Sequence, residues 1–146
     1  MAGVDRGVST VVGYVLNIGI ATILITGLLI SGASLVSDQR DRTVRSELDV
    51  LGNRLAADLE TADRLLRTGD GEVTVRTVLP DRVAGTEYHI AVQTTDGAVE
   101  IRLETTDSSI TRTVPVRNTS RVKTGTVDGG DVVIDGEAGR LEVSDG

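Results

Sequence analysis

Between Val8 and Val36 the chain runs for 29 residues without a charged side chain, VSTVVGYVLNIGIATILITGLLISGASLV. About 20 apolar residues wound as a helix cross the hydrocarbon core of a bilayer, so this run spans one with a turn or two to spare. A helix that is apolar on every side is stable in lipid or against other such helices, and a small water-soluble core cannot enclose it. The run opens abruptly after Asp5-Arg6-Gly7, and charge returns just as abruptly at Asp38. Four segments are expected: a leader over 1–7 too short to fold, a transmembrane helix over 8–36, an amphipathic continuation of that helix over 37–69, and an antiparallel β domain over 70–146.

Inside the apolar run Ser9, Gly13, Asn17 and Ala21 recur every fourth residue, with Gly19, Thr22 and Thr26 as a second track beside them. Small residues let helix backbones approach closely in an apolar medium, and hydroxyls or amides can hydrogen-bond from one helix to another. The Asn17 amide in lipid would cost roughly 2 kcal/mol or more if unpaired, so it calls for a partner. Ser9, Gly13, Asn17 and Ala21 are therefore the candidate helix–helix packing residues.

From Asp38 the chain is rich in charge yet still helical in pattern. Val44, Leu48, Leu51, Leu55, Leu59, Ala62 and Leu66 follow one another at spacings of three and four, which draws an apolar stripe along one helix face. Glu60 and Arg64 stand at the favourable i,i+4 spacing. Gly52 interrupts the run at a helix-propensity cost of about 1 kcal/mol relative to Ala, and Gly69-Asp70-Gly71 supplies a C-terminal stop.

After Gly71 the period shortens to two. Val73, Val75 and Leu79 mark a first strand closed by Pro80-Asp81. Tyr88, Ile90 and Val92 mark a second, and Val99, Ile101 and Leu103 a third, with the hairpin signal Thr95-Asp96-Gly97 between them. Ile110, Val114 and Val116 mark a fourth, at a sheet edge because Pro115 has no N–H to donate. Val122 and Val127 are weaker signals, and Val132–Ile134 and Leu141–Val143 complete five to seven short antiparallel strands. Each has one apolar face to bury, and the stripe from Val44 to Leu66 is the surface available. The fold class is thus α+β: a long N-terminal helix whose second half packs against a small antiparallel β-sheet domain.

Composition narrows the chemistry. There are no Cys, Trp or Phe residues, so disulfides and thiol catalysis are excluded and the core must be aliphatic. The net charge is −7, and Lys123 is the only Lys among 15 basic residues. Such a surface does not suit nucleic acid, whose affinity comes from cations on phosphates. His89 is the only His and sits in a strand facing solvent, so neither an acid–base site nor a His/Cys metal site is expected. Asp128, Asp131 and Asp135 lack the loop spacing of a calcium site and read as turn residues. No cofactor and no enzymatic activity are expected. Asn118-Thr119-Ser120 fits the N-glycosylation acceptor pattern at Asn118.

Arg6-Gly7, followed directly by Val8-Ser9-Thr10-Val11-Val12-Gly13 and a long apolar helix, resembles the class III signal of archaeal type IV pilin-like proteins. The resemblance covers roughly residues 5–30 and extends beyond them through architecture alone. It implies that a prepilin peptidase in the membrane cuts the Gly7–Val8 bond, that Arg6 is the basic residue before it, and that Val8 becomes the mature N-terminus. The Glu found at the fifth mature position of many bacterial pilins is Val12 here; archaeal relatives often lack it. By the same resemblance the chain is a subunit, major or minor, of a surface filament. Its partners would be the membrane, the peptidase and other pilin-like subunits, and its C-terminal domain would lie outside the cell. The acidic, Thr-rich, Lys-poor composition is similar to that of haloarchaeal proteins.

Two readings compete with this one. A single-pass envelope domain could bind a partner or ligand without polymerising, or ordinary signal-peptide cleavage near Ser31-Gly32-Ala33 could release a secreted domain. The apolar region before that second site, about 23 residues, exceeds the usual core of a signal peptide. Arg40, Arg42 and Arg45 outnumber Arg6, and the positive-inside rule alone would keep the C-terminal side in the cytoplasm. The leader motif argues the opposite orientation, and it is the one followed here.

Overall fold

The computed structural model describes residues 7–69, 71–107 and 109–146, together with the helical backbone of residues 2–6. One helix, α1, covers Ala2–Thr68, 67 residues. It starts six residues before the expected Val8, so the backbone of residues 2–7, expected to be too short to fold, is helical. Nothing in it breaks a helix: Gly3 and Gly7 cost only about 1 kcal/mol each in propensity, and adding turns to an existing helix avoids the cost of nucleation. α1 stops where Gly69 was expected to stop it; Asp70 lies outside the described residues.

The chain divides into two compact units, Met1–Arg40 and Asp41–Gly146. The first is helix alone. Its large apolar side chains from Val8 to Val36 are all exposed, from 49% at Ile18 to 73% at Leu28. The helix is long and apolar enough there to cross a membrane.

The second unit holds the rest of α1 and nine strands: β1 Val73–Thr77, β2 Arg82–Val83, β3 Thr86–Thr95, β4 Ala98–Thr105, β5 Thr111–Val116, β6 Arg121–Val122, β7 Gly125–Asp128, β8 Val132–Glu137 and β9 Arg140–Asp145. They form two sheets, one ordered β1-β8-β9-β6 and the other β2-β3-β4-β5 with β7 also paired to β3. All seven residues of the predicted stripe are buried, and they share one core with Tyr88, Ile90, Val92, Ile101, Leu103, Ile134 and Leu141 from the strands. The helix face drawn by periodicity is therefore the face that packs.

The expectation of five to seven strands, all antiparallel, needs correcting. Nine strands are present among the described residues, and β6 runs parallel to β9 through Arg121↔Arg140 and Val122↔Leu141. β2 escaped notice because two residues carry no period. Leu79 and Ile110 are buried, as expected of strand residues, but lie just outside β1 and β5. β5 pairs only with β4, which leaves Pro115 at the edge. Asp96 and Gly97 close the β3–β4 hairpin with φ of 51° and 83°. Ala84-Gly85 and Ala138-Gly139 repeat the same two-residue turn at φ near +45° and +78°, an uncommon choice for Ala because its Cβ is crowded there.

Candidate functional site

Of the processing residues, the Arg6 side chain lies outside the described residues. Gly7 and Val8 are exposed on α1. Ser9, Gly13, Asn17 and Ala21 are also exposed, and a Cβ built on Gly13 meets nothing within 4 Å. Asn17 makes no side-chain hydrogen bond among the described residues. The second track behaves differently. Thr22 Oγ1 donates to Ile18 O at 2.9 Å and Thr26 Oγ1 to Thr22 O at 2.8 Å, so these hydroxyls are satisfied within their own helix. That is the ordinary refuge of a hydroxyl in an apolar medium, where the i−4 carbonyl is the nearest acceptor.

In the second unit the acidic residues beside the buried stripe have specific tasks. At 100° per residue, Glu47 and Asp58 fall on one flank of it and Asp49, Glu60 and Asp63 on the other. Glu47 Oε2 accepts the Ala84 N–H at 2.9 Å, and Asp58 Oδ2 accepts the Thr77 hydroxyl at 2.8 Å. Asp49 binds both donors of the Arg112 fork. Glu60 Oε1 accepts the Arg117 N–H at 3.0 Å rather than pairing with Arg64, whose Nη2 donates to Thr61 Oγ1. Buried Asp63 takes the Thr119 and Ser120 N–H groups on Oδ1, at 3.2 and 2.7 Å, and Arg67 Nε on Oδ2. Burial pushes the Asp63 carboxyl up, but the bonds from Ser120, Thr119 and Arg67 outweigh it and leave the carboxyl below its usual range.

Asp63 thereby holds the acceptor tripeptide. Asn118 is half-buried and donates Nδ2 to Ser120 O at 2.7 Å, so the nitrogen that would carry a glycan is engaged in the folded domain. His89 lies on the outer face of β3, and its Nδ1 stands 2.8 Å from Asp128 Oδ1. Asp135 accepts from Thr74 instead, so Asp128 and Asp135 are drawn to different neighbours. No group of three metal-ligating side chains gathers among the described residues. The depression lined by Asp81, Arg82, Glu87, Tyr88, His89, Asp128 and Gly129 is an open one, in which Arg82 pairs with Glu87 and the His89 ring bonds to Asp128.

The sequence pattern of residues 38–69 does not distinguish these carboxylate fastenings from charges that face water. Their signal was position: acids standing just outside an apolar stripe. Gly52 was likewise misread as a weak spot. A Cβ there would lie 2.8 Å from both Leu103 Cδ1 and Val114 Cγ2, so the residue lets the helix approach β4 and β5. No curated protein and no solved structure matches the chain. The chain belongs to a family of unknown function, DUF7266, whose family model matches residues 3–144.

Proposed function

We propose that the protein is a structural subunit of a pilus-like surface filament, processed by a prepilin peptidase at Gly7–Val8 and assembled through its apolar helix. One observation carries the reading: the apolar run from Val8 to Val36 has no buried side, although the same α1 also forms the spine of a domain with a complete core. A helix apolar all round has two stable settings, lipid before assembly and other copies of itself afterwards. Exposed Gly13 and unpaired Asn17 offer close approach and an amide for such contacts. The acidic surface of the β domain stays in water in either setting.

The anchored envelope domain remains the second reading, and the internal bonding of Thr22 and Thr26 favours it, because a helix meant only for lipid hides its hydroxyls in this way. Protein recovered from cells separates the two. The filament reading expects a mature chain starting at Val8, an uncut precursor for Gly7→Val, and oligomers that Gly13→Leu diminishes at matched membrane levels. A retained leader, or a start at Ser34, overturns it. Cleavage at Val8 without any oligomer favours the anchored domain.

A further inference from the structure

Among the described residues of 41–146, three large apolar side chains are exposed: Val50, Leu65 and Val78. Val50 borders a groove of about 200 Å3 completed by Ser46, Glu47, Leu51, Pro80 and Val83. Its walls are aliphatic, and the Glu47 carboxylate stands at its rim. Leu65 emerges from the same helix 15 residues later, about 22 Å along the axis, on the same flank as Glu47. Exposed Arg64 stands next to it. Glu47 uses Oε2 on the Ala84 N–H, which leaves Oε1 to receive a cation.

We propose that this groove receives Leu65 of a second copy of the chain, with Arg64 of that copy set against Glu47. Shape and charge agree on the occupant: an aliphatic hollow with an anionic rim in one place, an aliphatic side chain with a cationic neighbour in another. The two features occupy different parts of one surface. Between copies that lie parallel, the roughly 22 Å from groove to Leu65 demands an axial step from one copy to the next. Each therefore offers its groove to one neighbour and its Leu65 to another, in a head-to-tail contact that climbs rather than closes. The inference rests on the filament reading and adds to it a contact between folded domains. One leucine in one groove is a weak bond alone. It becomes effective between chains already held together in a staggered bundle, where the local concentration is high.

The absence of cysteine from the chain makes the test clean. Val50→Cys and Leu65→Cys are placed in the full-length protein in cells under conditions that allow filaments to form, and mildly oxidised, since a disulfide requires Cα atoms within about 7 Å. The double variant is expected to give a ladder of dimers, trimers and higher species. A mixture of the two single variants should stop at dimers, and each single variant alone should crosslink at least tenfold less. Gly13→Cys serves as an independent reporter of association through the apolar helix. No ladder while Gly13→Cys crosslinks overturns the groove contact and leaves the filament reading standing. No crosslink at either place overturns both. Val50→Cys pairing with itself as readily as with Leu65→Cys, or pairing only with other proteins, also overturns the contact.

Discussion

Arg112 on β5 grips Asp49 on α1 with both arms of its guanidinium, Nε donating to Oδ1 at 2.6 Å and Nη2 to Oδ2. The hydrogen bonding from Arg112 holds the Asp49 carboxyl below its usual range, with burial opposing and the Arg112 charge assisting. The planar fork matters, because Lys can supply the charge but not two parallel donors. Arg112→Lys and Asp49→Asn should each lower the melting temperature of residues 41–146, and the double variant should lose less than the sum. The differences should shrink in 1 M salt, since both side chains are about 40% exposed and open to screening. Strict additivity in thermal melts would mean the pair is idle.

Acid should loosen the domain through Asp49, Asp63 and Asp107. Each has a folded value below the ordinary 3.8, with Asp107 drawn down to about 2 by the hydroxyls of Thr105 and Ser109 and the Ser109 N–H. A depressed carboxyl stabilises fully above its unfolded value and loses that contribution as pH falls through the folded one. Melting temperature should therefore hold steady above about pH 4.5 and decline from there toward pH 2. Asp63→Asn should start lower and decline less steeply, because its amide cannot meet Arg67 with an acceptor on both sides. An unchanged acid slope in that variant would remove Asp63 from the account.

Tyr88 is the only aromatic side chain of residues 41–146. Its hydroxyl donates to Pro80 O at 2.7 Å, and its ring lies where a Cβ on Gly129 would stand at 2.6 Å. Burial, with Asp81 nearby, pushes its ionisation up to about 12 against the bond to the Gly130 backbone. The sign is that of a raised group: stability is complete below about pH 10 and is lost as pH rises through 12. Ultraviolet titration should show no more than about a tenth of the tyrosinate signal at pH 11 while circular dichroism remains native, and the two signals should change together above that. A smooth tyrosinate transition near pH 10 in the folded domain would contradict the burial.

Gly52→Ala sets two effects against each other. Helix propensity alone favours Ala by about 1 kcal/mol. The new Cβ, however, would stand 2.8 Å from Leu103 Cδ1 and Val114 Cγ2, and Val114 is a stiff β-branched residue held in a strand. Overpacking of this kind costs about 1–3 kcal/mol, so net destabilisation is expected in urea unfolding of residues 41–146. A stabilised variant would show that the helix can step back from the sheet without loss.

How much of this was legible depends on what generates periodicity. Val44 to Leu66 repeats because a helix buries one side, and all seven buried positions are legible from their spacing alone. The edge position of β5 followed from one residue, Pro115, whose missing N–H is a local fact. β2 and the parallel β6–β9 pair escaped because two-residue strands have no period and because parallel register depends on distant segments. Glu47, Asp49, Asp58, Glu60 and Asp63 escaped for a related reason: a carboxylate that accepts from a remote donor looks the same in sequence as one that faces water. Gly52 had the right residue and the wrong cause. Its meaning lay in Leu103 and Val114, more than fifty positions away.

The five carboxylates along α1 also decide how the second unit bears a load. A pull directed along the helix would meet fastenings at the β1 end, the β2–β3 turn, β5 and the loop after it. Such bonds lie in parallel and share the force, so they yield together or not at all. A pull that peels a strand from a sheet edge would instead break ladder bonds one after another. A lengthwise pull on the helix is thus met by several side-chain contacts at once, and a sideways pull on a sheet edge by one ladder bond at a time.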